Sequence, residues 1–320
     1  MILPLPAFII EKGSVAMSSK VLAIFSLKDN VRRQRRFWGF LFALPVVLGT
    51  IIFNVWPAVY SFILSLTDWD LIQKMRFIGF ENFRVMFVED ELFGITILNN
   101  LYYALGIPVA MAAGLGLALL VNRRVPGTNF FRTSFFIPVI ASEVGIGMIW
   151  RWIYNGDYGL INMFLSIFGI DGPAFLFDKA WAMPPVIVVS IWRAMGYNMV
   201  LFLAGLQNIP EEYYEAARID GAGNWQSFRH ITLPLLSPVT FFIMVVSFIN
   251  SFQVFGLLYI MTDGGPGYAT TVYVFYLWQN AFRLFKMGYA SALAFFLFVF
   301  IMLITLFQWR MSKYWVHYSG

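Results

Sequence analysis

The sequence contains no cysteine and only two histidines, His230 and His317, in 320 residues. Neither disulfides nor thiolate metal sites are available to it. Charge is scarce as well. Asp, Glu, Lys and Arg make up 12% of the chain, against about 25% in ordinary soluble domains, while 60% is hydrophobic and the mean hydropathy is +0.72. That balance describes an integral membrane protein, built as a single bundle rather than as several domains. Phosphate-loop chemistry is missing too, because no Gly-x4-Gly-Lys-Ser/Thr occurs. Gly264-Gly265-Pro266-Gly267 is rich in glycine but lacks the lysine, and it reads as a turn. Neither a His-Glu-x-x-His pair nor a Gly-x-Ser-x-Gly elbow is present. The chain cannot hydrolyse ATP alone, so any ATP-driven motor belongs to another subunit. Its net charge of +5 is modest, and the basic residues gather at membrane borders rather than on an aromatic-lined soluble face, which excludes nucleic acid.

What is present is a series of apolar runs. A bilayer core takes about 20 apolar residues as helix. Six runs qualify: residues 37–66, 95–121, 131–154, 181–206, 235–261 and 287–309. Pro45 and Pro57 are candidate kinks in the first, and Gly114 and Gly116 allow close helix contact in the second. Ahead of them, residues 2–10 are too short to span and have no preceding basic residues, which makes a poor signal peptide. Met17 is an alternative start. Arg32, Arg33, Arg35 and Arg36 form a basic block that anchors the membrane border.

Lys and Arg set the orientation. With both termini cytoplasmic, the inside segments hold fourteen of them and the outside segments six. Asp68, Asp70, Glu81, Glu89, Asp90 and Glu91 lean outward together in the first external loop.

Charges within the spans call for a reason, since each costs about 2.5–3.5 kcal/mol at a helix centre on insertion scales. Glu143 and Arg193 each lie about twelve residues into consecutive antiparallel spans, near mid-bilayer at about 1.5 Å per residue. They suit either a structural ion pair or a contact to a polar substrate in the pathway. Arg151, between Trp150 and Trp152, is expected to snorkel to the outer interface. In the fifth run Asn250, Ser251 and Gln253 gather among Phe252, Phe255 and Tyr259. Amides beside aromatics suit a sugar, and the same amides suit hydrogen bonds between helices.

One stretch, residues 210–234, is polar and helical in pattern between two apolar runs. Pro210 fits a first turn, Glu211 and Glu212 favour the positive end of a helix, and Gly221 can take the left-handed conformation that ends it. Asn224 can then cap a second helix from Trp225 to His230, which must stop before Pro234. The elbow carries Tyr213, Tyr214, Trp225 and Phe228, a surface too adhesive for a plain loop. Its residues Glu215-Ala216-Ala217, then Gly221, then Ile231-x-Leu233-Pro234, resemble the EAA loop of importer permeases of the ATP-binding-cassette (ABC) superfamily at the family spacing. Thr67-Asp68-Trp69-Asp70, Phe77-Ile78-Gly79-Phe80-Glu81-Asn82-Phe83 and Thr262-Asp263-Gly264-Gly265-Pro266 are similar to landmarks of carbohydrate permeases of the maltose and glycerol-phosphate importer group. The resemblance covers roughly residues 37 to 312, and Glu143 departs from it.

The resemblance implies an all-α membrane protein of type I ABC importer permease character, with six transmembrane helices and a cytoplasmic coupling helix-turn-helix. Residues 1–36 would be a cytoplasmic N-terminal segment, 37–312 the permease domain with its coupling loop at 210–234, and 313–320 a cytoplasmic tail. Glu215, Ala216, Ala217 and Gly221 would couple to an ATPase dimer. Asn250, Gln253, Tyr259, Glu143 and Arg193 are the candidate substrate pathway for a small carbohydrate. Implied partners are a second, different permease, the ATPase dimer, an extracytoplasmic solute-binding protein and the lipid bilayer of the cell inner membrane. No cofactor is expected on this chain; ATP and Mg belong to the ATPase. A self-contained carrier driven by an ion gradient is the rival reading, and it calls for inverted repeats and titratable pathway residues. Only Glu143 answers that call.

Overall fold

The computed structural model describes residues 34–122 and 127–317. Met17, Arg32, Arg33, Arg123 and Arg124 lie outside the described residues. The chain forms two units, residues up to Tyr60 and residues from Ser61 onward.

The first long helix, α1, is Gln34–Ser65. Within it the residues Ile51–Val55 wind as a π turn, in which the Trp56 N–H bonds to the Ile51 carbonyl five residues back. Proline removes one helical N–H and crowds the carbonyl four residues earlier. The wide turn just ahead of Pro57 accommodates both defects, so the expected kink is a π bulge. After α1 the chain makes a two-residue antiparallel ladder, β1 (Thr67–Asp68) with β2 (Arg76–Phe77), a small exception to an all-helical fold.

The main helices that follow are α2 (Glu91–Val121), α3 (Thr128–Ile140), α4 (Glu143–Ile153), α5 (Leu160–Ile167), α6 (Met183–Gln207), α7 (Glu211–Ile219), α8 (Asn224–Leu235), α9 (Ser237–Phe252), α10 (Gly256–Thr262), α11 (Tyr273–Trp278) and α12 (Met287–Ser312), besides short helical turns at Glu81–Arg84, Val85–Glu89, Phe175–Phe177 and Gln279–Arg283. Four of these helices, α1, α2, α6 and α12, are long and apolar enough to cross a membrane singly. Two bent pairs, α3 with α4 at 96° and α8 with α9 at 61°, bring the number to six when each pair is counted as one span.

Two expected spans are therefore broken. The third run turns sharply at Ala141 and Ser142, whose extended ψ values of 147° and 128° end one helix and begin another. The fifth run ends its helix at Phe252, and α10 starts afresh at Gly256. Uniform hydropathy carries no sign of either break, because an apolar residue scores alike on both sides of a bend.

Small residues set the closest crossings. A Cβ on Gly114 would lie 2.5 Å from the Asn198 Cβ, so α2 and α6 meet there with no room for a side chain. A Cβ on Gly196 would lie 2.1 Å from the Phe135 carbonyl oxygen, which brings α3 onto the same helix. Gly116 plays no such part, since nothing lies within 4 Å of its Cβ position. Helix α6 thus becomes the axis on which α2 and α3 rest. Around it Val186, Val189, Leu257, Leu258 and Phe275 form one buried cluster, and Ala118, Met199, Phe202, Leu236 and Ile243 form another.

Candidate functional site

A cavity of about 680 Å³ opens inside the bundle, between α2, α6, α9 and the start of α10. Asn250 lies in the last turn of α9, and Gln253 follows where the helix ends. Both line the cavity, as do Ser190, Arg193, Tyr197 and Asn198 of α6, Tyr103 of α2 and Glu143 of α4. Phe255 contributes an aromatic wall. Four of the five pathway candidates are thereby brought together. Tyr259 is not. Its ring stacks on Phe255 at 5.5 Å and packs on Trp278 at 5.3 Å, away from the cavity lining. Phe252 is fully buried and also absent from the lining. The break at residues 253–255 separates Phe252 from Phe255 and Tyr259, which stay stacked on each other.

Glu143 and Arg193 meet, with Arg193 Nη1 3.5 Å from Glu143 Oε1. The depth argument that paired them does not survive, because Glu143 is the first residue of α4 rather than the middle of a straight span. Its position supplies better reasons. A carboxylate at a helix N-terminus is favoured by the aligned peptide dipoles. Oε1 also accepts the Leu257 N–H at 3.0 Å, so the same oxygen holds the opening turn of α10. Among the described residues Oε2 accepts no hydrogen bond, and Arg193 Nε and Asn198 Nδ2 donate none. Arg151 donates to the Ile260 carbonyl at 3.2 Å and so anchors α4 to α10, a role its expected snorkelling had not suggested.

The elbow is a second candidate site. Helix α7 ends at Ile219, and Gly221 sits at φ +81°. The Ala222 N–H bonds to the Ala217 carbonyl at 2.8 Å and the Gly221 N–H to the Arg218 carbonyl at 3.1 Å. This crossed pair is the Schellman arrangement, which requires a left-handed residue where Gly221 stands. The second helix differs from expectation. Gly223, not Asn224, is its cap, and Gln226 Oε1 accepts the Gly223 N–H at 2.8 Å. Nor does α8 stop before Pro234. Residues Phe228–Thr232 form a π turn, with the Leu233 N–H bonded to the Phe228 carbonyl, and the helix continues through Pro234. Tyr214 ties the two arms together through its hydroxyl, 3.0 Å from Thr232 Oγ1. Glu215 and Ala216 are exposed, Ala217 is half-buried, and Tyr213, Ile219 and Trp225 present apolar surface to solvent. A concavity of about 330 Å³ between the arms is lined by Ala217, Gly221 and His230 among others.

Two polar residues, Asn100 fully buried and Asp90 partly buried, have structural roles that the sequence did not assign them. Asn100 donates to the Ser251 carbonyl at 2.8 Å and accepts the Tyr273 N–H at 2.7 Å, joining α2, α9 and α11. Asp90 caps α2 through the Leu92 and Phe93 N–H groups and accepts the hydroxyls of Tyr276 and Tyr289. The only advance signal for Asp90 was its place before an apolar run, as an N-cap. Asn100 gave none.

Comparison with known proteins is consistent over most of the chain. Residues 106–313 match the family model described as "Binding-protein-dependent transport system inner membrane component". The sequence is 39% identical over 298 residues to the probable ABC transporter permease protein YesP of Bacillus subtilis (strain 168), covering 92% of this chain and 94% of that one. It is 31% identical over 290 residues to the trehalose/maltose transport system permease protein MalF of Thermococcus litoralis, covering 90% and 98%. The fold is similar, at a TM-score of 0.77 and 25% identity, to a chain in the crystal structure of a bacterial alginate ABC transporter in complex with an alginate pentasaccharide-bound periplasmic protein. That likeness covers 89% of this chain and 96% of the other.

Proposed function

Because the chain belongs to the family of inner membrane components of binding-protein-dependent transport systems, we propose that it carries a saccharide inward by alternating access as one permease of an ABC importer. It is a multi-pass membrane protein and a translocation subunit rather than an enzyme. The supporting observation is the 680 Å³ cavity, whose hydroxyls, amides and ion pair sit inside an otherwise apolar bundle. Its volume falls in the usual range for small-molecule sites, about 300–1,000 Å³. Polar groups are expensive to keep inside a membrane, and a hydroxyl-rich ligand is a reason to keep them.

The remaining machinery follows from this reading. A second, different permease completes the pathway, and an ATPase dimer holding ATP and Mg drives it. A solute-binding protein delivers the saccharide on the far side. The elbow, with Glu215, Ala216, Ala217 and Gly221, lies on the cytoplasmic side and docks on the ATPase. Both termini are on that side too. Asn250, Gln253, Glu143 and Arg193 contact the passing saccharide.

Proteoliposomes containing the assembled complex test the reading. Labelled saccharide should accumulate only when ATP and the binding protein are both supplied. Accumulation driven by a proton or sodium gradient without ATP would replace it with a gradient-driven carrier.

A further inference from the structure

Glu143 and Arg193 are the only charged side chains among the described residues that line the cavity, and they lie against each other. We infer that this pair makes the cavity a site for an uncharged saccharide and sets it against acidic ones. The inference rests on the saccharide reading above and adds the charge class of the ligand.

The charge balance comes first. An isolated arginine in a low-dielectric wall would attract a carboxylate strongly. Here the guanidinium already faces Glu143 at 3.5 Å, so the wall offers an anion no net positive charge. The counter-charge is also fixed in place. Glu143 begins α4, and its Oε1 is held by the Leu257 N–H, so the carboxylate has little freedom to swing away for an incoming acid. An acidic ligand would shed its water and meet a second carboxylate.

Hydrogen-bonding capacity points the same way. Among the described residues the Glu143 Oε2 takes no hydrogen bond and, as a carboxylate oxygen, can only accept, while Asn198 Nδ2 is an unpartnered donor on a side chain that is only 2% exposed. Asn250 and Gln253 supply both kinds of group. A hydroxyl donates and accepts at once, so neighbouring sugar hydroxyls match an acceptor set beside donors. A carboxylate only accepts, and it leaves Oε2 unserved.

The test measures affinity ratios on the assembled transporter in nanodiscs, followed by tryptophan fluorescence. The probes are a panel of neutral di- and trisaccharides and uronate oligosaccharides of the same lengths. Wild type should bind the neutral series more tightly. In Glu143→Gln, which leaves Arg193 uncompensated but keeps an oxygen for the Leu257 N–H, the neutral-to-acidic ratio should fall by about tenfold or more. Asn250→Lys gives the cavity the same net charge without touching the pair, and it should move the ratio in the same direction; it carries the test should Glu143→Gln fail to assemble. Equal or tighter uronate binding by wild type, or a ratio unchanged in the variants that assemble, overturns the charge preference alone. Binding of neither series to wild type removes the saccharide reading and this inference with it.

Discussion

Glu143 serves two partners through one oxygen, and substitutions can separate them. Glutamine retains an oxygen for the Leu257 N–H and loses only the charge opposite Arg193, whereas leucine loses both. We expect Glu143→Gln to destabilise the solubilised protein by about 1 kcal/mol, because the pair is partly exposed, and Glu143→Leu by about 2–3 kcal/mol. Thermal unfolding in detergent ranks the two, and equal losses would mean that the capping bond contributes nothing. Asn100 is the deeper case. It is fully buried, and alanine there strands both the Ser251 carbonyl and the Tyr273 N–H. A loss of about 2–4 kcal/mol is expected, against less than about 1 kcal/mol for the more exposed Asn99→Ala. Sequence made Glu143 conspicuous because a charge in an apolar run stands out. It gave no reason to single out Asn100, since an asparagine in a helical run looks the same whether it faces solvent or two neighbouring backbones.

Among the elements, the end of α7 was readable residue by residue and the course of α8 was not. Gly221 announced a left-handed turn, and the Schellman bonds are there. Nothing crowds its Cβ position, so the penalty for alanine is purely conformational, about 1–2 kcal/mol. Gly221→Ala should therefore lower substrate-stimulated ATP hydrolysis and uptake in the assembled complex while the permease still inserts. Gly221→Asn should recover much of the loss, because asparagine tolerates the same backbone region. Ala217→Leu enlarges the half-buried face between the arms and should uncouple as severely, with no rescue of this kind. Wild-type stimulation in both Gly221→Ala and Ala217→Leu would reduce the elbow to an interfacial helix. The breaks at Ala141–Ser142 and Gln253–Phe255 were illegible for one reason. Apolar periodicity reports which residues avoid water, and in a bilayer that condition holds on either side of a bend.

For the whole molecule, six apolar runs and the polar stretch between the fourth and fifth were legible from composition alone, and the two bent pairs fit that number. Sidedness rests on the distribution of Lys and Arg. Cysteines introduced at exposed Asn224 and exposed Lys179 should react with impermeant reagents from opposite faces of the membrane, a clean experiment in a chain that has no native thiol. Labelling of both from one face would invert the topology. Two of the four π turns among the described residues, Ile51–Val55 and Phe228–Thr232, bear on a different question, that of length variation. Each stands immediately before an X-Pro step, at Trp56-Pro57 and at Leu233-Pro234, and each amounts to one surplus residue wound into a helix. Deleting exposed Arg229 would remove that surplus together with the widened turn, so regular winding returns and the upstream part of α8 largely keeps its phase relative to α9. The elbow would keep its caps, its membrane neighbours and the face it presents. Such a deletion should insert normally and keep stimulated ATP hydrolysis, whereas deleting a residue from the regular turn Asn224–Ser227 should shift the phase by about 100° and abolish it. The widened turn, rather than the bare count of residues from Gly221 to Pro234, then sets the rotation of the elbow.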